Sequence, residues 1–185
     1  MPKLPLEILQ MRLKSEIDTC RRELPKHTIE VSDENFVNFP VTISVTMRGI
    51  PGPIWRDEGV SHLFTHNFTL KITDEYPYQK PIIIWESEIF HPNIMEPEEG
   101  GLVCSKLLDE WDFRSNLLKF ILGIETLLSN PNPGNAYITE SCSRAADYFR
   151  EHQYKPPAII KDRGKTGSPK IVSSPSSNSS NTNSS

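Results

Sequence analysis

Residues 40–86 read PVTISVTMRGIPGPIWRDEGVSHLFTHNFTLKITDEYPYQKPIIIWE, and the spacing of apolar residues in this stretch decides the fold. From Val41 to Arg48 the side chains alternate: Val41, Ile43, Val45 and Met47 against Thr42, Ser44, Thr46 and Arg48. Successive strand side chains point to opposite faces, so this pattern predicts a strand buried on one face. GIPGPIWRDEG (49–59) is dense in turn formers and predicts a connection. Period two returns with Phe64, His66, Phe68, Leu70 and Ile72; DEYPYQKP (74–81) interrupts it, and IIIWE (82–86) predicts another apolar strand. Links this short favour antiparallel pairing, because a parallel pair needs a long crossover.

Before this block, Thr28 to Ser32 predicts a short first strand. Residues 5–24 predict an amphipathic helix, with Leu6, Leu9, Leu13, Ile17, Cys20 and Leu24 at three- and four-residue steps. Pro5 suits its first turn and Pro25 stops it. After the block the character changes. Residues 87–113 hold no sustained period, and a loop this long inside a compact domain is usually functional. Ser115 then caps an apolar helix through Leu128, ended by NPNPGN, and Thr139 caps a last helix to about His152. The expected class is α+β: an N-terminal helix, a four-stranded antiparallel meander, a long active-site loop and C-terminal helices.

The expected domain covers residues 1–155, with a tail over 156–185. The final 18 residues hold nine Ser and three Asn, too polar to build a core, so disorder is expected there. Lys155, Lys161, Arg163, Lys165 and Lys170 make the tail locally basic, as a solvated segment would be. The net charge of −4 lacks the basic stripe of a nucleic-acid binder. The early charges of MPKLPLEILQMRLKSE do not suit a signal peptide, and no apolar run nears the roughly 20 residues that span a bilayer. Cys20, Cys104 and Cys142 are far apart and odd in number, which suits a reducing compartment better than disulfides. The expected location is therefore cytoplasmic, with the nucleus left open. His62 and His66 have helical metal-ligand spacing but fall on a predicted strand, where about 13 Å separates them, so no metal site is expected.

The irregular segment carries His91-Pro92-Asn93, then Gly101-Leu102-Val103-Cys104, then Trp111. Tyr76-Pro77 with Pro81 precedes it and Asn130-Pro131-Asn132-Pro133 follows. In this order and near these spacings, these stretches resemble the ubiquitin-conjugating enzyme family over roughly residues 5–152. The resemblance implies that Cys104 accepts ubiquitin or a ubiquitin-like protein from an activating enzyme as a thioester. A lysine amine on a protein substrate then takes it, with a ligase helping and no cofactor at this step. Cysteine suits the task because a thiolate both attacks and leaves well. Asn93 matches the family asparagine credited with stabilising the charge that builds on the carbonyl oxygen; such a donor elsewhere is worth roughly 3–4 kcal/mol. An amide at this place could equally brace the loop. The resemblance makes His91 a brace rather than a base, and Pro92 sets the bend.

Asn135 aligns with a position, often acidic, that lines the lysine's approach; an asparagine there can orient an amine but cannot take its proton. Tyr78 and the pair Asp112-Phe113 match loops that dock a ligase. Arg12, Lys14, Arg21 and Arg22 on the first helix read as a solvated face or as a partner contact. Cys20 reads as core and Cys142 as structural. The chain also departs from the family pattern. His91 and Cys104 are 13 positions apart, about three more than is common, with the addition near Glu96–Gly101. Ser105-Lys106 replaces a common leucine-aspartate, and the run to Trp111 is shorter. These departures suggest a divergent member serving an unusual modifier. They also leave room for the alternative, a non-catalytic binding module of the same fold.

Overall fold

The computed structural model describes residues 2–104 and 111–158. Helix α1 (Leu6–Glu23) leads into strand β1 (Thr28–Val31), β2 (Val41–Arg56), β3 (Gly59–Ile72) and β4 (Ile82–Trp85). Helices α2 (Leu117–Ser129) and α3 (Glu140–Glu151) follow a long irregular stretch. Every strand pair is antiparallel and the spatial order is β1-β2-β3-β4, the meander that the short links imply.

One expectation fails in an instructive way. Residues 49–59 do not form a connection; they extend the β2–β3 hairpin by most of their length. Pairing runs from Val41↔Ile72 to Arg48↔Thr65, then resumes at Gly52↔Leu63 and continues to Arg56↔Gly59. The turn formers are absorbed in a bulge at Gly49–Pro51, where Gly49 has φ +81. The real turn is the pair Asp57-Glu58, both at positive φ, as a two-residue hairpin loop matching strand twist requires. The shift also explains Phe64, which lies opposite the bulge and is exposed rather than continuing the buried row of Phe68, Leu70 and Ile72.

The core lies between the inner face of the sheet and helices α1 and α2. From α1 come Leu9, Leu13, Ile17 and Cys20; Leu6, one turn earlier, is exposed. The sheet supplies Val41, Ile43, Val45 and Met47, the row read from the alternation, with Phe68, Leu70 and Trp85 beside them. Helix α2 buries Leu117, Phe120, Ile121, Ile124, Leu127 and Leu128. At about 1.5–3 kcal/mol for each buried large apolar side chain, α2 is held by packing rather than by its propensity. Its cap is Asn116, whose side chain accepts the Lys119 N–H at 2.9 Å, not Ser115. Ser115 instead accepts the Asp112 N–H and closes the preceding loop. Thr139 caps α3 as expected. A second, smaller cluster of Phe90, Ala145 and Phe149 joins α3 to the far end of the hairpin through Trp55 and Val60.

Candidate active site

The chain from β4 to Cys104 is fastened at almost every residue. The Phe90 N–H donates to the Pro53 carbonyl at 2.7 Å, so the extended hairpin receives the segment. His91 is buried and bridges two elements. The Asn93 N–H donates to its Nδ1 at 3.0 Å, and its Nε2 lies 3.1 Å from the Leu127 carbonyl. A carbonyl cannot donate, so Nε2 carries the ring hydrogen and Nδ1 is the acceptor. Burial pushes this imidazole down to about 3, although the Leu127 contact favours its charged form. Both ring nitrogens are engaged, which leaves His91 no lone pair to act as a base.

Asn93 is 2% exposed and its amide is fully engaged. Nδ2 donates to the carbonyls of Asn132 and Asn135, both at 3.0 Å, and Oδ1 accepts the Asn132 N–H at 2.8 Å. The turn between α2 and α3 is thus tied to the loop by one side chain. Asn135 joins the site through its carbonyl, while its side chain is exposed on the surface turn. The Pro92 carbonyl accepts the Tyr137 N–H at 3.0 Å, and the Asn93 carbonyl accepts the Cys104 N–H at 2.8 Å. Cys104 is half-buried at the end of this ladder, whereas Cys20 and Cys142 are fully buried. The Cys142 thiol lies 3.4 Å from the Ile94 carbonyl as donor and is pushed up by burial, so it serves the core as expected.

The added residues are ordered by contacts of their own. Pro97–Glu99 form one turn of 3-10 helix, closed by Gly100 at φ +106. Gly101, at φ +62, donates to the Glu96 carbonyl at 3.1 Å and accepts the Trp85 N–H at 2.7 Å. A Cβ on Gly101 would stand 2.2 Å from the Trp85 carbonyl oxygen, so this position needs glycine for space as well as for φ. The Glu99 carboxylate reaches the start of α3, accepting the Ser141 N–H at 3.0 Å and the Ser141 hydroxyl. Desolvation opposes its charge, yet these bonds, with Thr139 and Glu140, hold the carboxyl below its ordinary value. Glu96 goes the other way: burial and neighbouring Glu99 raise it, partly offset by Arg144.

Neither Glu99 nor Tyr137 was singled out from the sequence. Glu99 had a legible signal, an acid that could cap a helix starting at Thr139, but the pairing spans 42 positions. The Tyr137 phenol is raised by burial and by the Cys104 and Cys142 thiols, which places it in the electrostatic surroundings of Cys104. Ser105-Lys106 lies outside the described residues.

Tyr78 and Phe113 come together at another corner, their ring centroids 5.3 Å apart, and remain 43% and 48% exposed. Asp112 turns back on Arg114, which holds its carboxyl below the usual range. Arg12 differs from its reading as a solvated residue. It is tied to Glu16 at 2.7 Å and donates to the carbonyls of Phe113 and Ser115. Glu16 in turn accepts the Tyr76 hydroxyl and the Leu117 N–H, so the pair joins α1 to both loops. Trp111 closes the corner, donating from Nε1 to the Pro77 carbonyl at 2.7 Å. Among the described residues there is no cluster of three metal-binding side chains, and no helix is long and apolar enough to cross a membrane.

The likeness to known proteins spans the same elements. The profile of a family described as ubiquitin-conjugating enzyme matches residues 12–157. Ubiquitin conjugating enzyme E2 B of Dictyostelium discoideum is 30% identical over 130 residues, covering 70% of this chain and 80% of that one. Ubiquitin-conjugating enzyme E2 3 of Arabidopsis thaliana is 29% identical over 97 residues, covering 52% of this chain and 63% of that one. Among solved structures, S. cerevisiae Ubc12 superposes with a TM-score of 0.59 at 26% identity, over 82% of this chain and 74% of that chain. A putative ubiquitin conjugating enzyme from Plasmodium yoelii shares the fold, with a TM-score of 0.56 at 23% identity over 77% and 83%. With a family match over most of its length and the fold to accompany it, the chain belongs to the ubiquitin-conjugating enzyme family.

Proposed function

We propose that the protein carries ubiquitin or a ubiquitin-like modifier as a thioester on Cys104 and passes it to a lysine of a protein substrate. In the first step the Cys104 thiolate attacks the carbonyl of the modifier's C-terminal residue on an activating enzyme, and that enzyme's thiolate leaves. In the second, a lysine amine attacks the Cys104 thioester, Cys104 leaves as thiolate, and the amine's surplus proton passes to solvent. The observation that carries this reading is the pairing of the Cys104 N–H with the Asn93 carbonyl, which leaves a half-buried thiol at the end of a fixed segment. Pro92 and the engaged ring of His91 shape that segment and move no proton. Asn93 contributes first by holding the turn that carries Asn135. For it to donate to a carbonyl oxygen in the transfer step, one of the two bonds that Nδ2 donates to the turn has to open. Tyr78 and Phe113, with Asp112 shaping their loop, offer a ligase an exposed aromatic anchor.

Charging is the test. The protein is mixed with ATP, an activating enzyme and a modifier, then run on a non-reducing gel. The expected band shifts upward and collapses with a thiol reductant. Cys104→Ser gives a reductant-resistant ester and Cys104→Ala gives no band. Charging that persists in Cys104→Ala overturns the assignment. Failure of the parent to charge with every modifier tried favours the non-catalytic binding module instead.

A further inference from the structure

Transfer from a thioester passes through a tetrahedral carbon whose oxygen gathers negative charge, and a donor aimed at that oxygen speeds the step. Among the described residues around Cys104, most donors are already spent. Both hydrogens of Asn93 Nδ2 go to the carbonyls of Asn132 and Asn135. His91 is buried with both ring nitrogens engaged. The Cys142 thiol donates to the Ile94 carbonyl, and the Asn135 side chain stands out on the surface turn.

Tyr137 is the exception. Its N–H donates to the Pro92 carbonyl at 3.0 Å, and the next carbonyl along, that of Asn93, accepts the Cys104 N–H at 2.8 Å. Two consecutive carbonyls therefore fasten Tyr137 and Cys104 to the same short segment. Tyr137 is half-buried, and among the described residues its hydroxyl has no hydrogen-bond partner. On one side it borders a cleft of about 250 Å³ between the Pro133–Asn135 turn and α3. The charged groups on that cleft, Asp147 and Arg150, are paired with each other at 2.5 Å. Burial, then the nearby Cys104 and Cys142 thiols, hold the phenol above its ordinary value, so it stays protonated and able to donate at neutral pH. Turning this hydroxyl toward a thioester breaks no bond of the fold, whereas Asn93 has to give one up.

We infer that, with Cys104 carrying the thioester proposed above, the Tyr137 hydroxyl donates a hydrogen bond to the thioester's carbonyl oxygen during transfer, which makes Tyr137 a further catalytic residue. The lysine nitrogen bonds to the carbonyl carbon and the C=O pair moves onto oxygen, where the Tyr137 O–H stabilises it and keeps its own proton. The pair then re-forms the C=O bond, the C–S bond breaks, and Cys104 leaves as thiolate. The surplus proton of the amine passes to solvent.

The test uses the full-length parent and Tyr137→Phe, each charged with ubiquitin or with whichever ubiquitin-like protein charges the parent. Discharge is then followed in a single turnover with free lysine and with hydroxylamine. Hydroxylamine is too small to need the steering a lysine chain needs, so the two nucleophiles share the demand at the carbonyl oxygen. Tyr137→Phe is expected to charge as the parent does and to unfold at the parent's denaturant midpoint. It should discharge to both nucleophiles about ten- to a hundredfold more slowly. With lysine the loss falls on the maximal rate and leaves the half-saturating lysine concentration unchanged. Slowing with lysine alone assigns Tyr137 to the amine and overturns the proposal. Rates within about twofold of the parent for both nucleophiles overturn it too, as does a lowered midpoint, which would show the hydroxyl already bonded inside the fold. A parent that charges with no modifier overturns the thioester reading and the Tyr137 role with it, so the two failures are told apart by the charging step.

Discussion

The approach to Cys104 and the corner at Tyr78 and Phe113 are built on opposite plans. Along residues 90–104 nearly every polar group is engaged inside the molecule, down to both ends of the Asn93 amide and both nitrogens of His91. At the corner the polar work is done beneath the surface by Arg12, Glu16 and Trp111, and two aromatic rings are left in solvent. The difference separates two demands. A residue that holds a covalent intermediate needs fixed surroundings before any partner arrives. A docking surface needs apolar area that a partner can desolvate.

The comparison breaks most completely at Cys104. Cys104→Ala is expected to lose all thioester formation on the gel while unfolding at an unchanged denaturant midpoint. Asn93→Ala comes next. It removes three partly buried hydrogen bonds and takes their partner from the Asn135 carbonyl and the Asn132 N–H, while the Asn132 carbonyl keeps the Asn135 N–H, for an expected loss of about 1–3 kcal/mol in denaturant unfolding. Charging survives at low temperature and discharge to free lysine slows. A variant as stable as the parent would show that the turn holds itself without Asn93.

Acid attacks the same region. The folded His91 imidazole stands near 3 against an ordinary value of 6.5, so its contribution is complete above 6.5 and erodes as pH falls below it. The slope approaches about 1.4 kcal/mol per pH unit from this one group, measurable as a falling denaturant midpoint. Glu99→Gln is smaller, an expected loss of about 1 kcal/mol at neutral pH, as for a helix cap. Because the Glu99 carboxyl is held below 4.5, that difference shrinks as pH falls past 4.5. Smallest in stability is Phe113→Ala, expected within about 0.5 kcal/mol of the parent. It should charge normally yet lose most of any ligase-stimulated discharge. Equal stimulation of Phe113→Ala and parent would remove the corner from the docking surface.

How much of this was legible depends on the range of the interactions. Local periodicity gave the helices, the four strands and the meander, because alternation at Val41–Arg48 and three-four spacing at Leu9–Cys20 report burial directly. It misread 49–59, since Gly and Pro signal turns and bulges alike and pairing with β3 decides between them. At the site, residue types and order pointed to Cys104, Asn93 and His91. The partners of Asn93 lie 39 and 42 positions away, and the two loop carbonyls that Arg12 reaches lie more than a hundred away, so no local pattern encodes them. Glu99 escaped notice for the same reason. The expected tail is tested no further, as residues from 159 onward lie outside those described.

The junction between Gly101 and Trp85 has a consequence beyond the approach to Cys104. By pairing with Trp85, and through the bridge from Ile84 to Leu102, the segment before Cys104 lies along the outer side of β4. An uncovered strand of IIIW would be a template for edge-to-edge aggregation, with unpaired backbone groups and β-branched side chains. The loop that presents the thiol therefore also acts as a guard rail for the sheet. A bulky substitution at Gly101 would harm solubility as well as the proposed conjugation.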